Sequence, residues 1–200
     1  MTPGLHIGLT GGIGSGKSTV ASMWVACGAV LVDTDAISRT LTAPGGAALP
    51  ALAAAFGNDI LSSDGALNRD KMRSLVFADV TQRLRLEGIL HPMISAQARS
   101  EANAAGSQPV VFDVPLLSEA SHWRQRVTRV LVVDCSYQTQ VERVMRRNDW
   151  PADTVQRIIA QQASRERRRR IADAVIVNEG LGLGELKQEV EQLWRLWVAD

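Results

Sequence analysis

The stretch GLTGGIGSGKST at residues 8–19 carries the most specific chemistry in the sequence. From Gly11 to Ser18 it matches the pattern GxxxxGK[ST], the Walker A phosphate loop of nucleotide-binding proteins. The glycines of such a loop let the backbone curl, so that successive N–H groups face an anion at the positive end of the following helix. Lys17 would reach the β- and γ-phosphates, and the Ser18 hydroxyl would bind a magnesium ion. The alternative is a glycine-rich turn that only caps a helix, which the apolar run before the loop and the helical run after it disfavour.

Aspartates end several of the apolar runs. Asp113 closes the run VVFD, the form of a strand whose carboxylate contacts magnesium or its water shell in proteins with this loop. A carboxylate in that place can equally cap the following turn, and the residues leave both roles open. Asp134 closes the run LVVD in the same way, and there a structural role is the better interpretation.

The second apolar run ends in the triplet DTD at residues 33–35. A carboxylate near a phosphate loop can accept the proton of an attacking hydroxyl or hold the water shell of the metal. It can also cap the helix that we expect to begin near Ile37. We assign the chemistry to Asp33 and the capping to Asp35, a division that rests on spacing alone.

Arginines are concentrated in the last third of the chain. Arg143 and Arg147 lie four residues apart, so one helix face can present both guanidinium groups to a phosphoryl group. The run RERRRR at residues 165–170 is either part of that clamp or a solvated basic face, and a solvated face explains most of it.

Three further side chains are chemically reactive types, but the sequence suggests no catalytic or metal-binding partner for them. His91 precedes Pro92 at an expected helix boundary, where a structural or substrate-contacting role fits better than a catalytic one. Cys27 and Cys135 have neither metal-type nor disulfide-type spacing, and we expect them to be free thiols of the core.

The pattern of apolar runs supplies a scaffold that brings the polar residues together. Five runs have the character of buried strands, at residues 5–10, 29–35, 109–115, 127–136 and 172–178. Apolar strands that alternate with helices are typical of a parallel sheet covered on both faces, and ligands bind beyond the carboxyl ends of its strands. We therefore expect an α/β fold with a helical insertion between the second and third strands and a second helical segment after the fourth.

Composition limits the other classes of protein. The 200 residues have 46% hydrophobic content and a net charge of +1, with 22 basic and 21 acidic residues, which argues against disorder and against general polyanion binding. The N-terminus lacks the pattern of a secretory signal, and no run approaches the length of a membrane span. We expect a cytoplasmic protein. The guanine-reading Asn-Lys-x-Asp string of a regulatory GTPase does not occur.

Seven segments taken together carry a more specific resemblance. In order they are GLTGGIGSGKSTV, VLVDTDAISR, LEGILHP, FDVPLLSE, RVLVVD, QVERVMRRND and IADAVIVNEG. From about residue 5 to residue 180 the chain resembles the dephospho-CoA kinase family. Two features depart from the family pattern: Ser118 stands before Glu119, and the run at 165–170 is more basic than the pattern requires.

The resemblance implies a P-loop NTPase-type sheet of about five strands, a helical domain for the CoA substrate and a helical lid. The nucleotide-binding core would comprise residues 1–35, 107–138 and 171–200, the substrate domain residues 36–106 and the lid residues 139–170. The implied reaction transfers the γ-phosphoryl group of ATP, with Mg²⁺, to the ribose 3′-hydroxyl of dephospho-CoA.

The resemblance also implies roles for individual residues. Asp33, Lys17 and Arg143 would be catalytic, with Asp33 accepting the hydroxyl proton. The implied ATP contacts are Gly12, Ile13, Gly14, Ser15, Gly16, Lys17, Ser18, Thr19, Arg147 and Asn178. The implied contacts on the acceptor side are Asp33, His91, Pro115 and Leu116. Ser18 would bind Mg²⁺, to which Asp113 would connect through water.

We expect ATP and dephospho-CoA as the partners, neither nucleic acid nor membrane, and a monomer or small homo-oligomer. A P-loop kinase that acts on another small hydroxyl compound or on a nucleoside monophosphate is the nearest alternative. It would keep the loop and the arginines but have a different acceptor pocket.

Overall fold

Five strands form a parallel sheet at the centre of the fold, in the order β2-β3-β1-β4-β5. The computed structural model describes residues 4–115, 117 and 121–199. The strands are β1 (His6–Gly11), β2 (Val30–Asp33), β3 (Val110–Asp113), β4 (Arg129–Asp134) and β5 (Ala174–Val177). Each apolar run predicted as a strand contains one of them, so the predicted fold class is confirmed.

Helices connect the strands. They are α1 (Lys17–Ala26), α2 (Thr34–Leu41), α3 (Leu49–Phe56), α4 (Arg69–Ala78), α5 (Val80–Ala104), α6 (Ser121–Arg124), α7 (Tyr137–Asn148), α8 (Ala152–Gln161), α9 (Arg165–Arg170) and α10 (Leu183–Ala199), with a short 3-10 helix at Asn58–Ile60. None of the helices described combines the length and the apolar character that a bilayer crossing requires.

The central position of β1 follows from its register with both neighbours. Leu9 of β1 lies opposite Asp113 of β3 and opposite Leu131 of β4, and all three are buried. Because β1 continues for two residues beyond Leu9, its carboxyl end leads into the phosphate loop beside the last residue of β3. The register alone therefore places Asp113 next to the start of the loop.

Tryptophans pack α10 against α1. The ring of Trp24 lies 5.9 Å from that of Trp194 and 5.7 Å from that of Trp197, between centroids. The Trp24 indole N–H donates to the Val190 carbonyl at 3.2 Å, so the buried donor is satisfied. This contact fixes the helix that begins at the phosphate loop.

The described cysteines are free thiols, as expected. Cys135 is buried directly after β4, and burial raises the pKa of its thiol to about 11. The thiol therefore stays protonated and unreactive at neutral pH.

The chain divides into two compact units. The first comprises Met1–Val32 and Ala105–Asp200 and contains the sheet; the second is Asp33–Ala104 and is helical. The second unit has its own apolar core, in which Leu52 and Ile60 are fully buried and Met72 is nearly so.

The helix boundary predicted at His91 is wrong. α5 continues through Pro92 from Val80 to Ala104, and His91 is an exposed residue within it. A proline inside a helix removes the hydrogen bond to the residue four before it and crowds that residue's carbonyl. Here that residue is Gly88, and a glycine backbone has more conformational freedom than other residues to adjust to the proline ring.

The helix after β2 also begins earlier than predicted, and a different aspartate caps it. α2 starts at Thr34, and the Asp33 carboxylate accepts a hydrogen bond from the Ala36 N–H at 2.9 Å. Asp33 ends β2 with extended backbone angles, φ −89° and ψ 105°, which is the conformation of an N-cap. Asp35 already lies in the first helical turn, so the capping role assigned to it is wrong.

Candidate active site

The phosphate loop connects the end of β1 to the start of α1. Gly14 and Gly16 have positive φ angles of 75° and 95°, in the region that favours glycine. A β-carbon on Gly16 would lie 2.3 Å from Asn178 Nδ2, and one on Gly12 would lie 2.0 Å from Gln140 Nε2. Side chains at these positions are excluded by backbone conformation and by close neighbours.

The loop presents unused hydrogen-bond donors. Within the described part of the chain, the backbone N–H groups of Gly14, Gly16, Lys17 and Ser18 donate to no protein oxygen. Buried or partly buried backbone donors are rarely left without a partner, and the first N–H groups of a helix bind anions readily. The hydroxyl of Ser15 is also buried without a partner among these residues. This set of donors fits a phosphate group.

Lys17 and Asp113 form an ion pair at the mouth of the loop. The Lys17 ammonium donates to Asp113 Oδ1, and the two side chains are only 16% and 10% exposed. A cation and a carboxylate in a shielded place attract each other more strongly than on the surface. The structure thus brings together the loop lysine and the aspartate for which the sequence left two roles open.

Asn178 supports the loop from the end of β5. Its side-chain N–H donates to the Ser15 carbonyl at 2.8 Å, and its own backbone N–H donates to the Asp134 carbonyl at 2.8 Å. Both contacts are made by a buried residue, which fixes the loop against the sheet. A contact of Asn178 with the adenine of ATP stays a prediction.

Helix α7 carries Arg143 to the loop. Arg143 Nη1 lies 3.4 Å from the Gly14 carbonyl and 3.5 Å from the Ser15 carbonyl. Arg147, one turn later, is exposed and donates to Asn148 at 2.9 Å. Of the two predicted arginines, the structure therefore brings Arg143 to the loop.

The start of α7 is tied to the residue that follows Asn178. The Glu179 carboxylate accepts hydrogen bonds from the Thr139 hydroxyl and from the Ser136 N–H, the latter at 2.6 Å. The bond from Thr139, followed by that from Ser136, lowers the pKa of Glu179. The end of β5 and the helix that carries Arg143 are thereby connected.

The arginine run at 165–170 is not one uniform surface. Arg165 Nε donates to both oxygens of Asp134, at 2.9 and 2.7 Å, and Arg169 Nε lies 3.6 Å from the same carboxylate. Arg168 is buried, whereas Arg170 pairs with Glu166 on the surface. Asp134 is 1% exposed and so requires a cation. This geometry agrees with the structural role expected for Asp134.

The residues predicted on the acceptor side lie in both units. Asp33 and His91 belong to the second unit, where the Asp33 side chain is 38% exposed and Asp33 Oδ2 lies 3.6 Å from Arg39. Pro115 belongs to the first, and its carbonyl accepts a hydrogen bond from the Thr10 hydroxyl at 3.1 Å. Leu116 lies outside the described residues.

Two residues near the loop, Gln140 and Gln162, were missed by sequence reasoning, whereas Arg168 belongs to the arginine run that the sequence singled out. Gln162 accepts a hydrogen bond from the Ile13 N–H at 3.0 Å, while Gln140 and Arg168 are buried beside Gly12. Glutamines within or at the end of an amphipathic helix are usually solvated, and nothing in the spacing of these two distinguishes them.

The residues present fit a magnesium ion that is bound together with a nucleotide. Among the described residues no group of three or more His, Cys, Asp or Glu could hold a metal by itself. Mg²⁺ usually binds through one or two protein oxygens together with substrate phosphates and water. The exposed Ser18 hydroxyl, on the first turn of α1, and the Asp113 carboxylate are oxygen ligands of that kind.

Comparison with known proteins gives matches along nearly the whole chain. A family model described as dephospho-CoA kinase matches residues 5–182. The dephospho-CoA kinase of Albidiferax ferrireducens is 51% identical over 194 residues, covering 96% of this chain and 92% of the relative. That of Burkholderia thailandensis is 51% identical over 192 residues, covering 96% and 95%. A solved structure from Thermus thermophilus has a TM-score of 0.83 and 29% identity, covering 96% of this chain and 97% of that one.

Proposed function

Because the chain belongs to the dephospho-CoA kinase family, we propose that its phosphate loop and the side chains around it transfer the γ-phosphoryl group of ATP to the ribose 3′-hydroxyl of dephospho-CoA. The chain is a kinase of coenzyme A biosynthesis, and the products are coenzyme A and ADP. The observation that carries the proposal at atomic level is the row of unused N–H groups that ends at Lys17 and Ser18. Such a row binds the phosphates of a nucleotide.

On the donor side, the loop from Gly12 to Thr19 surrounds the ATP phosphates. Phosphoryl transfer requires alignment and charge stabilisation more than covalent chemistry. The Lys17 ammonium, held at the mouth of the loop by Asp113, adds positive charge to the β- and γ-phosphates. Arg143, which already lies at the Gly14 carbonyl, neutralises charge on the transferred group, with Arg147 one turn behind it.

The Ser18 hydroxyl would hold Mg²⁺, and the Asp113 carboxylate would connect to the ion through water. When bound, the ion neutralises phosphate charge and orients the phosphates. Asp113 pairs with Lys17 and would also be close enough to the metal's water shell to stabilise the charge of the ion. Its burial at the end of β3 keeps the carboxylate in place for both.

On the acceptor side, Asp33 is the base. As the 3′-oxygen of dephospho-CoA bonds to the γ-phosphorus, the bond from that phosphorus to the bridging oxygen of ADP breaks, and the hydroxyl proton passes to Asp33. Asp33 Oδ1 caps α2, whereas Oδ2 lies 3.6 Å from Arg39 on a side chain that is 38% exposed, and we assign Oδ2 to the acceptor hydroxyl. We also assign His91, Pro115 and Leu116 to binding of the acceptor, as the family resemblance implies.

We assign the three parts of the chain accordingly. Residues 1–35, 107–138 and 171–200 bind the nucleotide, residues 36–106 bind the CoA substrate, and residues 139–170 form the lid. A lid that closes over both substrates excludes the water that would hydrolyse ATP. We expect a cytoplasmic enzyme that works as a monomer or small homo-oligomer and binds neither nucleic acid nor membrane.

Acceptor specificity tests the proposal. ADP release is measured with dephospho-CoA, AMP, CMP and shikimate as acceptors, and the product is identified by its mass. We expect turnover with dephospho-CoA and formation of coenzyme A, and none above background with the other three. Turnover with shikimate or a nucleoside monophosphate, and none with dephospho-CoA, would establish the alternative small-molecule kinase.

A further inference from the structure

Gln162 accepts a hydrogen bond from the phosphate loop, and the proposed mechanism does not use this bond. Its side-chain oxygen accepts from the backbone N–H of Ile13 at 3.0 Å, in a partly buried position. The next donors along the loop, from Gly14 to Ser18, include those left for phosphate. The N–H of Ile13 is thus bound by a protein oxygen, that of Gln162, whereas later N–H groups of the loop are left for a phosphate.

The backbone on both sides of Gln162 is fixed. Gln162 is the C-cap residue directly after α8, and its N–H donates to the Ile159 carbonyl at 3.1 Å. Two residues later the Ser164 hydroxyl caps α9, accepting from the Arg167 N–H at 3.1 Å. A side chain on a junction held in this way loses little freedom when it binds the loop.

Arg168 holds the same junction against the loop. Its guanidinium donates to the Ala163 carbonyl, and the residue is only 5% exposed. A β-carbon on Gly12 would lie 2.8 Å from Arg168 Nη2, so the guanidinium lies directly against the loop backbone. Gln162 and Arg168 therefore contact successive residues of the loop, Ile13 and Gly12.

The neighbouring Gln161 shows that residue type alone does not explain the contact. Gln161 is the last residue of α8 and is exposed, whereas Gln162 is partly buried. The two adjacent glutamines thus have the same side chain but differ in burial and in the bond to Ile13. They form a matched pair for experiment.

We propose that Gln162 is a positioning residue for ATP binding: its amide oxygen fixes the Ile13 peptide so that the following N–H groups of the loop converge on the phosphates. It acts through the loop backbone and does not touch the transferred group. The inference rests on the proposed function only in that the loop binds the phosphates of ATP.

The test compares Gln162→Leu with Gln161→Leu in the full chain. Leucine is similar in size to glutamine and has no oxygen to accept the bond. We expect the Ile13 amide to exchange its hydrogen faster in Gln162→Leu, and the Kd for ADP and the KM for ATP to rise about two- to tenfold, the range of one neutral hydrogen bond. The KM for dephospho-CoA and the values for Gln161→Leu should remain those of the unmodified protein.

Gln162→Glu supplies the complementary test, because it keeps an oxygen acceptor. Slow exchange at Ile13 is expected to persist, while the added negative charge weakens ADP binding in a salt-dependent way. Fast Ile13 exchange in Gln162→Glu, or unchanged Ile13 exchange and ADP affinity in a folded Gln162→Leu, would overturn the proposal. Amide exchange and ADP binding need no acceptor substrate, so these results are independent of whether dephospho-CoA is phosphorylated.

Discussion

The ammonium of Lys17 and the carboxylate of Asp113 are paired at the point where the phosphate loop meets the end of β3. Both side chains are largely shielded from water, so the two opposite charges stabilise each other. In the proposed mechanism the same lysine binds the β- and γ-phosphates. This pair should therefore affect both the free energy of unfolding and the rate of the reaction, and mutations of one or both residues can distinguish the two effects.

Lys17→Ala is expected to lower kcat/KM by at least about a hundredfold and to weaken ATP binding. It also leaves the Asp113 carboxylate without its cation, which should cost about 1–3 kcal/mol of unfolding free energy. Adding Asp113→Asn should restore much of that stability and none of the activity. Kinetics and urea denaturation measure the two effects.

Lys71→Ala is the control, because Lys71 forms an exposed ion pair with Asp59 in the second unit. Little change is expected in stability or rate, since exposed pairs contribute little. If Lys17→Ala kept normal ATP affinity and rate, the role of the loop lysine would be wrong.

Asp33→Asn is expected to reduce kcat by about 10²–10⁴-fold with ATP affinity unchanged, since asparagine cannot accept the hydroxyl proton. Asparagine is a good N-cap, so the melting temperature should stay near that of the unmodified protein. Asp33→Ala removes the cap as well and should lose about 1 kcal/mol of stability in addition. The exposed Asp35, changed to Asn, is the matched control and should leave kcat unchanged. A near-normal kcat in Asp33→Asn would contradict the assignment of the base.

The sequence was sufficient for the sheet and for the loop, because both depend on local patterns. Apolar runs mark strands buried on two faces, and the spacing of glycines, Lys17 and Ser18 marks the loop. The choice between Asp33 and Asp35 as the cap depended on a shift of a few residues in the start of α2, the kind of boundary that propensity defines poorly. Gly88 shows how a local exception, here four residues before Pro92, allows a helix to continue.

Contacts across long sequence separations could not be predicted in the same way. The bond between Ile13 and Gln162 joins residues 149 positions apart, and the pair formed by Arg165 with Asp134 depends on which face of α9 meets β4. Polar side chains in amphipathic helices have the same sequence signature whether solvated or buried. Only the packing of the helices distinguishes them.

Arg143→Ala is expected to lower kcat by about 10²–10³-fold with a smaller effect on the KM for ATP, because charge on the transferred group is greatest in the transition state. Arg147→Ala should have the weaker effect, since Arg147 is exposed and bound to Asn148. The exposed Arg146 provides a control on the same helix. Steady-state kinetics of the three variants would rank them, and an effect at Arg147 larger than at Arg143 would reverse the assignment.

Glu179 should make the stability of the chain depend on pH. Its pKa is lowered in the folded protein, so its contribution is present at neutral pH and is lost as the pH falls through the folded pKa, below the ordinary range for glutamate. Glu179→Gln should therefore be less stable than the unmodified protein at neutral pH, with the difference disappearing in acid. Glu142→Gln, at an exposed position of α7, is the control. Urea denaturation across the acidic range tests this, and a difference that grows in acid would contradict it.

The arginine run at 165–170 has either a structural role or a role in binding phosphate, and one pair of variants can distinguish the two roles. Among the described residues, Arg165→Ala leaves the buried Asp134 carboxylate with only the more distant Arg169, which should cost about 1–2 kcal/mol of unfolding free energy. Arg167→Ala, at an exposed position of the same helix, should cost almost no unfolding free energy.

Because the Arg165 side chain is bound to Asp134, its loss should change the KM for ATP little at temperatures where the variant is folded. Asp134→Asn combined with Arg165→Ala should recover part of the stability, as removal of both charges leaves no buried ion. Unchanged stability with a large loss of ATP affinity in Arg165→Ala would instead establish the phosphate clamp.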